Sequence, residues 1–172
     1  MGLPEEVPQR RLATDAEARA LASSLRLQIL RLTLDEALTN KEIAERLDRN
    51  PASVLHHVRT LVDTGFLRAE PVRRGARGSR EVPYRATGKS WQLEVPNVGR
   101  AVLAAFLAEA EQVPAGALAT SRLGLRLTPE EVEELGQRLH ALFEEYHRRP
   151  ASPDAEPWSV FFAMHPDAGR RP

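Results

Sequence analysis

The sequence predicts a mainly α-helical chain with a smaller α+β part. Apolar residues recur every three or four positions in several segments that begin with capping residues, as in helices with one buried face. Two short runs of strand-forming residues flank a glycine-bearing tip, as in a β-hairpin. The 172 residues are 42% hydrophobic and 28% charged, which fits one or two small domains with their own cores.

Several classes of protein are excluded at once. The chain has no cysteine, so it has neither disulfides nor thiolate metal sites. Its first ten residues, MGLPEEVPQR, lack the apolar centre of a signal peptide, and the longest apolar run, residues 101–108, is too short to cross a bilayer. We therefore expect a cytoplasmic protein that does not bind membranes.

Charge is unevenly distributed along a chain of zero net charge. Residues 40–89 hold eleven Lys and Arg against six Asp and Glu, a net charge of +5, whereas residues 96–172 have a net charge of −3. Arginine supplies 22 of the 24 cations, which suits two-pronged binding of phosphate, although a GC-rich genome would produce the same bias. The basic segment indicates an anionic partner on one face.

The N-terminal third of the chain predicts an arm followed by helix. Residues 1–13, with two prolines and no periodicity, predict a flexible arm. A helical pattern over residues 15–37 begins at a capping box, in which Thr14 precedes Glu17 by three positions. A serine pair at Ser23 leaves open whether this segment is one long helix or two short ones.

The next segment predicts two short helices joined by a tight turn. Thr39 and Glu42 form a second capping box at the start of the first helix. Asn50 is placed as the N-cap of the second helix, with Pro51 at its first position, where the missing N–H has no cost. Gly65 is expected to end that helix in the left-handed conformation.

A basic hairpin follows these helices. Residues 66–73 and 81–87 predict two strands joined by the tip RGARGS, and six arginines between positions 68 and 85 face only two acids. Two helices, a tight turn and a basic hairpin make a winged helix-turn-helix, which we assign to residues 14–90. A helix of this kind fits the major groove of DNA, and hairpin arginines can hold phosphates.

The outward face of the second helix and the hairpin supply the candidate site. The face is polar, and its one acid, Asp63, lies at the far end. The candidate DNA-binding residues are Lys41, Asn50, Ala52, Ser53, His56, His57, Arg59, Thr60, Arg73, Arg74, Arg77 and Arg80. His57 could instead hold the turn or a phosphate rather than a base, and the hairpin could be an ordinary solvated loop.

The stretch ALASSLRLQILRL…LTNKEIAERLDRNPASVLHHVRTLVDTGFL resembles the ArsR-type winged-helix transcriptional regulators. The resemblance covers roughly residues 15–88. The sequence differs from the usual ArsR-type pattern in three ways. It has Leu55 where a serine is usual, it lacks the Cys-x-Cys metal motif, and it has a longer tail over residues 97–172. The resemblance implies a bacterial regulator of the metal-free branch, without metal or cofactor. The matching positions are Arg26, Ile29, Leu30, Ile43, Ala44, Leu47, Ser53, His57, Leu61 and Gly65.

A second apolar helix is predicted over residues 97–113. Its apolar residues occur on nearly all sides, so it needs partners on several sides and could be a dimerisation helix or the core of a second domain. We prefer the dimer, because two reading helices then address two DNA half-sites. The candidate interface residues are Val98, Val102, Phe106 and Leu107.

The last part, residues 120–166, predicts a small α+β unit of strand, helix and strand. Alternating leucines at 123–127 and the run WSVFFAMHP predict the two strands. Trp158, Phe161 and Phe162 could line a pocket for a small-molecule effector or simply form a core. His140, Glu144 and His147 share a helix face, which we interpret as facing solvent rather than binding metal.

The sequence contains no recognisable catalytic motif, such as a glycine-rich phosphate loop or a nucleophile elbow. We therefore expect no enzymatic activity. The function predicted is sequence-specific binding of double-stranded DNA by a dimeric transcriptional regulator, a repressor. The alternatives are a winged helix that binds protein rather than DNA, and a C-terminal ligand-binding or enzymatic unit with an accessory winged helix.

Overall fold

The computed structural model describes residues 10–75, 78–114 and 116–170. The described residues fall into two compact units: a larger one within Gln9–Leu118 and a smaller one within Ala119–Pro172. The mainly helical class with small sheets and a winged helix-turn-helix is confirmed. The helices are α1 (Asp15–Leu21), α2 (Ser24–Leu32), α3 (Asn40–Arg46), α4 (Pro51–Asp63), α5 (Gly99–Ala110) and α6 (Pro129–Arg148). The strands are β1 (Arg11–Leu12), β2 (Leu38–Thr39), β3 (Leu67–Ala69), β4 (Arg73–Arg74), β5 (Arg80–Glu81), β6 (Pro83–Ala86) and β7 (Leu93–Glu94).

The first helical segment is two helices rather than one. The α1 helix ends at Leu21, and Ser23 is the N-cap of α2, where its hydroxyl accepts a hydrogen bond from the Arg26 N–H at 3.4 Å. The capping box at the start of α1 is formed as predicted, since the Glu17 N–H and the Thr14 hydroxyl are 3.3 Å apart and the Glu17 carboxylate accepts from the Thr14 N–H. The serine hydroxyl therefore begins a new helix instead of bending the old one.

The helix-turn-helix consists of α3, a tight turn and α4. In the turn Asp48 has a φ of 50°, and the Arg49 N–H donates to the Ala44 carbonyl at 2.9 Å. The predicted caps of α4 are confirmed at both ends: Asn50 accepts from the Ala52 N–H, and Gly65 has a φ of 75°. These local signals set the length of the helix.

The hairpin forms, but prolines divide its strands. In the main sheet β6 lies between β2 and β3, antiparallel to both, and β4 pairs with β5 in a separate two-stranded ladder. Pro71 follows the end of β3 and Pro83 begins β6, so neither position offers a ladder N–H. The two continuous strands expected over residues 66–73 and 81–87 are therefore four short ones.

The arm prediction is wrong for its last residues. Arg11 and Leu12 form β1, which runs parallel to β7, and the Ala13 N–H donates to the Glu94 carbonyl at 2.9 Å. Residues 1–9 of the predicted arm lie outside the described residues. The strand partner of β1 lies about 80 residues later in the chain. A short polar segment gives no local signal for such distant pairing, so its pattern predicts only a flexible arm.

Glu17 joins the start of α1 to the segment after the hairpin. Its carboxylate accepts two hydrogen bonds from Arg11, at 2.6 and 2.8 Å, and lies 2.7 Å from the Lys89 ammonium. Lys89 also donates to the Thr64 carbonyl at the end of α4, at 2.6 Å. The hydrogen bonds from Arg11, then Lys89, then the Thr14 N–H hold the pKa of Glu17 far below its ordinary value.

The Glu17 carboxylate is expected to stabilise the fold in a pH-dependent way. A lowered pKa in the folded state means a contribution that is present above about pH 4.3, the unfolded value, and lost as the pH falls toward the folded pKa. Glu17→Gln should lower the free energy of unfolding at neutral pH, and the difference from wild type should shrink below about pH 4. Urea denaturation across this range measures both. Glu156→Gln, a matched change at an exposed carboxylate, should leave the free energy of unfolding unchanged across this pH range. If Glu17→Gln lowered the free energy of unfolding by the same amount at every pH, the link between the Glu17 pKa and stability would be contradicted.

One apolar core holds the larger unit together. Fully or almost fully buried side chains come from α1, α2, α3, α4 and the neighbouring strands, and α5 packs against α2. This core fixes the inner face of α4 and leaves its other face outside. The buried core residues are Ala20, Leu21, Ile29, Leu30, Leu38, Ile43, Ala44, Val54, Val58, Leu61, Phe66, Leu67 and Leu93.

The smaller unit contains α6, and the two strands predicted there are wrong. Thr128 and Glu131 form a capping box at the start of α6, but within the described residues 116–170 no strand is present. Leu123 is 79% exposed and Trp158 is 75% exposed. An alternating pattern forms a strand only where another strand accepts its backbone hydrogen bonds, and no described strand does so here.

The α6 helix also differs from the sequence interpretation of its polar face. Glu144 was expected to face solvent, yet it is buried with 7% exposure. It lies 3.6 Å from Arg148 and 4.0 Å from His140. The (i, i+4) spacing brings these side chains together along the helix.

None of the helices in the described ranges combines the length and the apolar character that crossing a membrane requires.

Candidate nucleic-acid interface

The α4 helix has one buried face and one polar exposed face. Val54, Val58 and Leu61 are fully buried against the core. Ala52, Ser53, His56 and Arg59, all predicted site residues, are exposed on the other side. The exposed face contains no acid before Asp63. Because the buried stripe of α4 is packed into the core, the exposed face is held in a fixed orientation. These four side chains are therefore accessible to a partner.

The two adjacent histidines have different environments. His56 is exposed, whereas His57 is half-buried and its Nδ1 lies 3.3 Å from Nη1 of Arg26. Their rings meet edge to face with centroids 5.6 Å apart. Burial first, then the charge of Arg26 and then His56 lower the pKa of His57 below its ordinary value. The lowered pKa favours the neutral imidazole at neutral pH.

Two other candidates on this helix are engaged within the chain. The Asn50 side chain accepts from the Ala52 N–H at 2.8 Å, so it caps α4. The Thr60 hydroxyl donates to the His56 carbonyl at 3.1 Å, as threonines in helices commonly do. Both residues still lie at the surface, exposed in one case and half-exposed in the other. Their hydrogen bonds assign them a role in holding the helix.

Within the described part of the hairpin, the arginines differ in whether a carboxylate engages them. Arg74 and Arg80 are exposed and lie directly opposite each other across the β4–β5 ladder. Arg73 instead donates to both carboxylate oxygens of Glu42, at 2.5 and 2.6 Å, and lies 3.6 Å from Glu81. Arg77 lies outside the described residues. The structure thus gives Arg73 a carboxylate partner where the sequence predicted a phosphate.

The pairing of Arg73 with Glu42 joins the hairpin to the helix-turn-helix. Glu42 also accepts from the Thr39 N–H in the capping box of α3. That backbone hydrogen bond first, and then the Thr39 hydroxyl and Arg73, hold the pKa of Glu42 below its ordinary value despite partial burial. Lys41, the remaining predicted site residue, is exposed and lies 3.7 Å from Glu45.

Three residues that position the site were not singled out from the sequence. Arg26 contacts His57, Lys89 holds the Thr64 carbonyl at the end of α4, and the Asn40 amide donates to the Pro51 carbonyl at 2.8 Å. From the sequence, Arg26 is only one of the positions that match the ArsR-type pattern. The sequence carries no local signal for these contacts, because each joins residues at least eleven positions apart.

The α5 helix presents part of its apolar surface to solvent. Val98, Val102 and Phe106 of the predicted dimer interface are half-buried, and Leu107 is 51% exposed. Leu103, one turn before Leu107, is 42% exposed. The packing of α5 on α2 therefore uses one side of the helix only.

The predicted ligand pocket is not formed by its three aromatic residues. Trp158 is 75% exposed and Phe162 is 45% exposed, while Phe161 is half-buried. A surface depression in this unit is lined by Leu125, Arg126, Leu127, Asp167 and Arg170 instead. Rings this exposed do not enclose a small molecule, since ligand sites bury most of the ligand surface.

Residues 21–70 match the model of a helix-turn-helix domain. The chain contains a helix-turn-helix domain. The match runs from the end of α1 to just beyond β3 and includes α2, α3 and α4. It covers less than half of the chain and identifies the domain rather than a particular family of regulators. No curated protein shows significant sequence similarity to the chain.

Solved structures similar to this helix-turn-helix chain have low scores. Reduced HlyU from Vibrio cholerae is 21% identical, with 58% of this chain and 87% of that chain covered and a TM-score of 0.34. A ZitR mutant from Lactococcus lactis in complex with DNA is 22% identical, with 83% and 84% covered and a TM-score of 0.33. A MepR–DNA complex from S. aureus is 16% identical, with 77% and 80% covered and a TM-score of 0.28. At such scores the likenesses identify neither a family nor a ligand.

Proposed function

We propose that this chain binds double-stranded DNA in a sequence-specific way and regulates transcription. The observation that carries the proposal is the exposed face of α4, which presents Ser53, His56 and Arg59 without an acid before the last residue of the helix. Donors on a helix that enters the major groove read base edges. The same chain places two exposed arginines, Arg74 and Arg80, on the hairpin. Phosphate contacts from such a hairpin orient the reading helix on the duplex.

The pairing of Arg74 with Arg80 favours an anionic partner. Like charges directly opposite each other on an antiparallel ladder are unfavourable. A phosphate between the two guanidinium groups replaces this repulsion with two charge-assisted hydrogen bonds. DNA presents such phosphates along its whole length, so the arrangement supports DNA as the anionic partner.

The proposal includes a homodimer. Leu103 and Leu107 lie one turn apart on α5 and are exposed side chains of a kind that a second copy would bury. Two copies related by a twofold axis would bring two α4 helices to half-sites about one helical turn apart on the duplex. Such a dimer covers promoter DNA, and repression is the simplest consequence.

The remaining parts of the proposal rest on the sequence. The resemblance to ArsR-type regulators supports a cytoplasmic bacterial protein of the metal-free branch, without catalytic activity. A small-molecule effector stays a prediction, because Trp158 and Phe162 are exposed rather than arranged around a ligand. An enzymatic C-terminal unit is the second alternative, and a cleft with converging titratable groups in the smaller unit would favour it.

A titration of fluorescent duplex DNA tests the proposal. Mixed genomic duplex should bind at low salt, and affinity should fall by several orders of magnitude between about 50 and 200 mM salt if six or more phosphates are contacted. Footprinting on genomic fragments should then reveal paired half-sites with centres about 10 base pairs, or a multiple of that, apart.

Sedimentation of the free and DNA-bound protein provides the companion measurement. Two chains should be present in solution and on each duplex. Absence of any anisotropy change at low salt would overturn DNA binding and favour the protein-interaction alternative. A single chain on each bound duplex would overturn the dimer alone.

A further inference from the structure

The Arg26 side chain links its own helix, α2, to α1 and α4. Its Nε donates to the Ala20 carbonyl at 2.5 Å and its Nη2 donates to the Arg19 carbonyl at 2.7 Å, both in the last turn of α1. Its Nη1 lies 3.3 Å from Nδ1 of His57 on α4. The guanidinium fork therefore has a partner for each of its three nitrogens, and the α1 carbonyls fix its plane. A lysine ammonium has no such fork.

This contact determines which nitrogen of His57 carries the proton. A guanidinium group only donates hydrogen bonds, so His57 Nδ1 must accept. The proton of the neutral ring is then on Nε2, and a second proton on Nδ1 would point at the Arg26 cation. Because the two ring nitrogens point in diverging directions, the Nε2–H is directed away from Arg26. Within the described part of the chain, no hydrogen bond to this nitrogen is present.

We propose that Arg26 is a positioning residue for DNA recognition, which holds His57 as a neutral donor whose Nε2–H binds an acceptor atom of the duplex. This rests on the proposed function. His57 lies on the helix that presents Ser53 and His56, between its buried stripe and its exposed face. A donor-only nitrogen selects acceptors, which on DNA are phosphate oxygens, the N7 of purines, and the O6 of guanine or O4 of thymine.

The charged groups around His57 agree with a neutral ring. Arg26 faces it from α2 and His56 adjoins it on α4, and both disfavour a second positive charge. Partial burial acts in the same direction and is the largest cause of the lowered pKa. The contact to DNA should then be a hydrogen bond rather than an ion pair, so it should change little with salt.

The first experiment examines His57 in the free protein. Nitrogen-15 NMR of the imidazole should show the Nε2–H tautomer and a pKa below about 6.5. In Arg26→Gln the pKa should rise toward that value and the two tautomers should mix. Arg19→Gln is the matched control, because it removes a neighbouring exposed arginine and leaves the Arg19 carbonyl in place. An Nδ1–H tautomer in wild type, or an unchanged His57 in Arg26→Gln, would overturn the inference.

The second experiment uses replacements that mimic one nitrogen each. A glutamine amide can place a donor near the Nε2 position, whereas an asparagine amide reaches only to Nδ1. Binding of footprinted duplex should be within a few-fold of wild type in His57→Gln and about tenfold weaker in His57→Asn, the size expected for one hydrogen bond. Thermal unfolding of each variant confirms that the measurements are made on folded protein.

The outcomes separate this inference from the proposed function. If wild type binds duplex and the two His57 variants bind alike, the donor role of His57 is wrong and DNA binding stands. If wild type binds no duplex, the proposed function and the DNA contact both fail, whatever the NMR shows. Equal losses in His57→Asn on footprinted and scrambled duplex would identify a phosphate acceptor. A loss confined to the footprinted duplex would identify a base edge.

Discussion

Phe66→Ala is expected to destabilise the larger unit by about 3 to 5 kcal/mol, the cost of removing a large aromatic side chain from a packed core. Phe66 is 1% exposed and directly follows the glycine that ends α4. The Lys89 ammonium also lies 5.0 Å from its ring centre, and that contact would be lost. Since domains of this size have a free energy of unfolding of only about 5 to 15 kcal/mol, the substitution would remove a large part of that free energy. Urea denaturation followed by circular dichroism measures the change.

The matched control is Phe162→Ala, the same change at a ring that is 45% exposed. Its effect on unfolding should be clearly smaller than that of Phe66→Ala, because nearly half of the Phe162 surface is already in water. A loss below about 1 kcal/mol in Phe66→Ala would contradict the assignment of Phe66 to the core. Phe66→Leu should be intermediate, since it refills part of the space.

A double variant, Arg74→Ala with Arg80→Ala, is expected to weaken DNA binding about a hundredfold, at roughly 1.5 kcal/mol for each charge-assisted contact. The salt dependence should also flatten, with the slope of log K against log salt reduced by about 0.9 for the one phosphate that the two arginines hold. The weakening should be similar on all sequences, because phosphates are common to all DNA. Anisotropy titrations at several salt concentrations measure both quantities.

Arg122→Ala with Arg126→Ala is the matched control, since both arginines are exposed and lie in the smaller unit. It removes the same charge from the chain and should leave the salt slope almost unchanged. An equal flattening in both double variants would show that net charge, rather than the hairpin, governs binding. An unchanged affinity in Arg74→Ala with Arg80→Ala would remove the hairpin from the interface.

The elements that could be predicted from sequence are those whose signals lie within a few residues. The caps of α4 need only Asn50, Pro51 and Gly65, because each acts on backbone groups up to four positions away. The division of helices at Ser23 stayed open, since a serine can cap a new helix or bend an old one. The choice depended on the packing of α2 against the rest of the core.

Strands were less predictable than helices, for a physical reason. The alternation around Leu125 is a good strand pattern, yet a strand needs a neighbour to accept its hydrogen bonds, and within the described residues it has none. Conversely, Arg11 and Leu12 carry no strand pattern but pair with β7, which offers free backbone groups at the right place. Periodicity indicates which side chains share a face, but it does not indicate whether a neighbouring strand is present to pair with.

The sequence by itself determined a capped helix-turn-helix, a hairpin rich in arginine, and an outer face of α4 with polar side chains and almost no acid. Only the tertiary structure decided which of those side chains are available. Arg73 contacts Glu42 and His57 contacts Arg26, and each pair is separated by 31 positions in the chain. Arg74 and Arg80 are exposed. Caps and periodicity act through bonds to nearby residues, whereas these pairings exist only once the core has brought distant helices together.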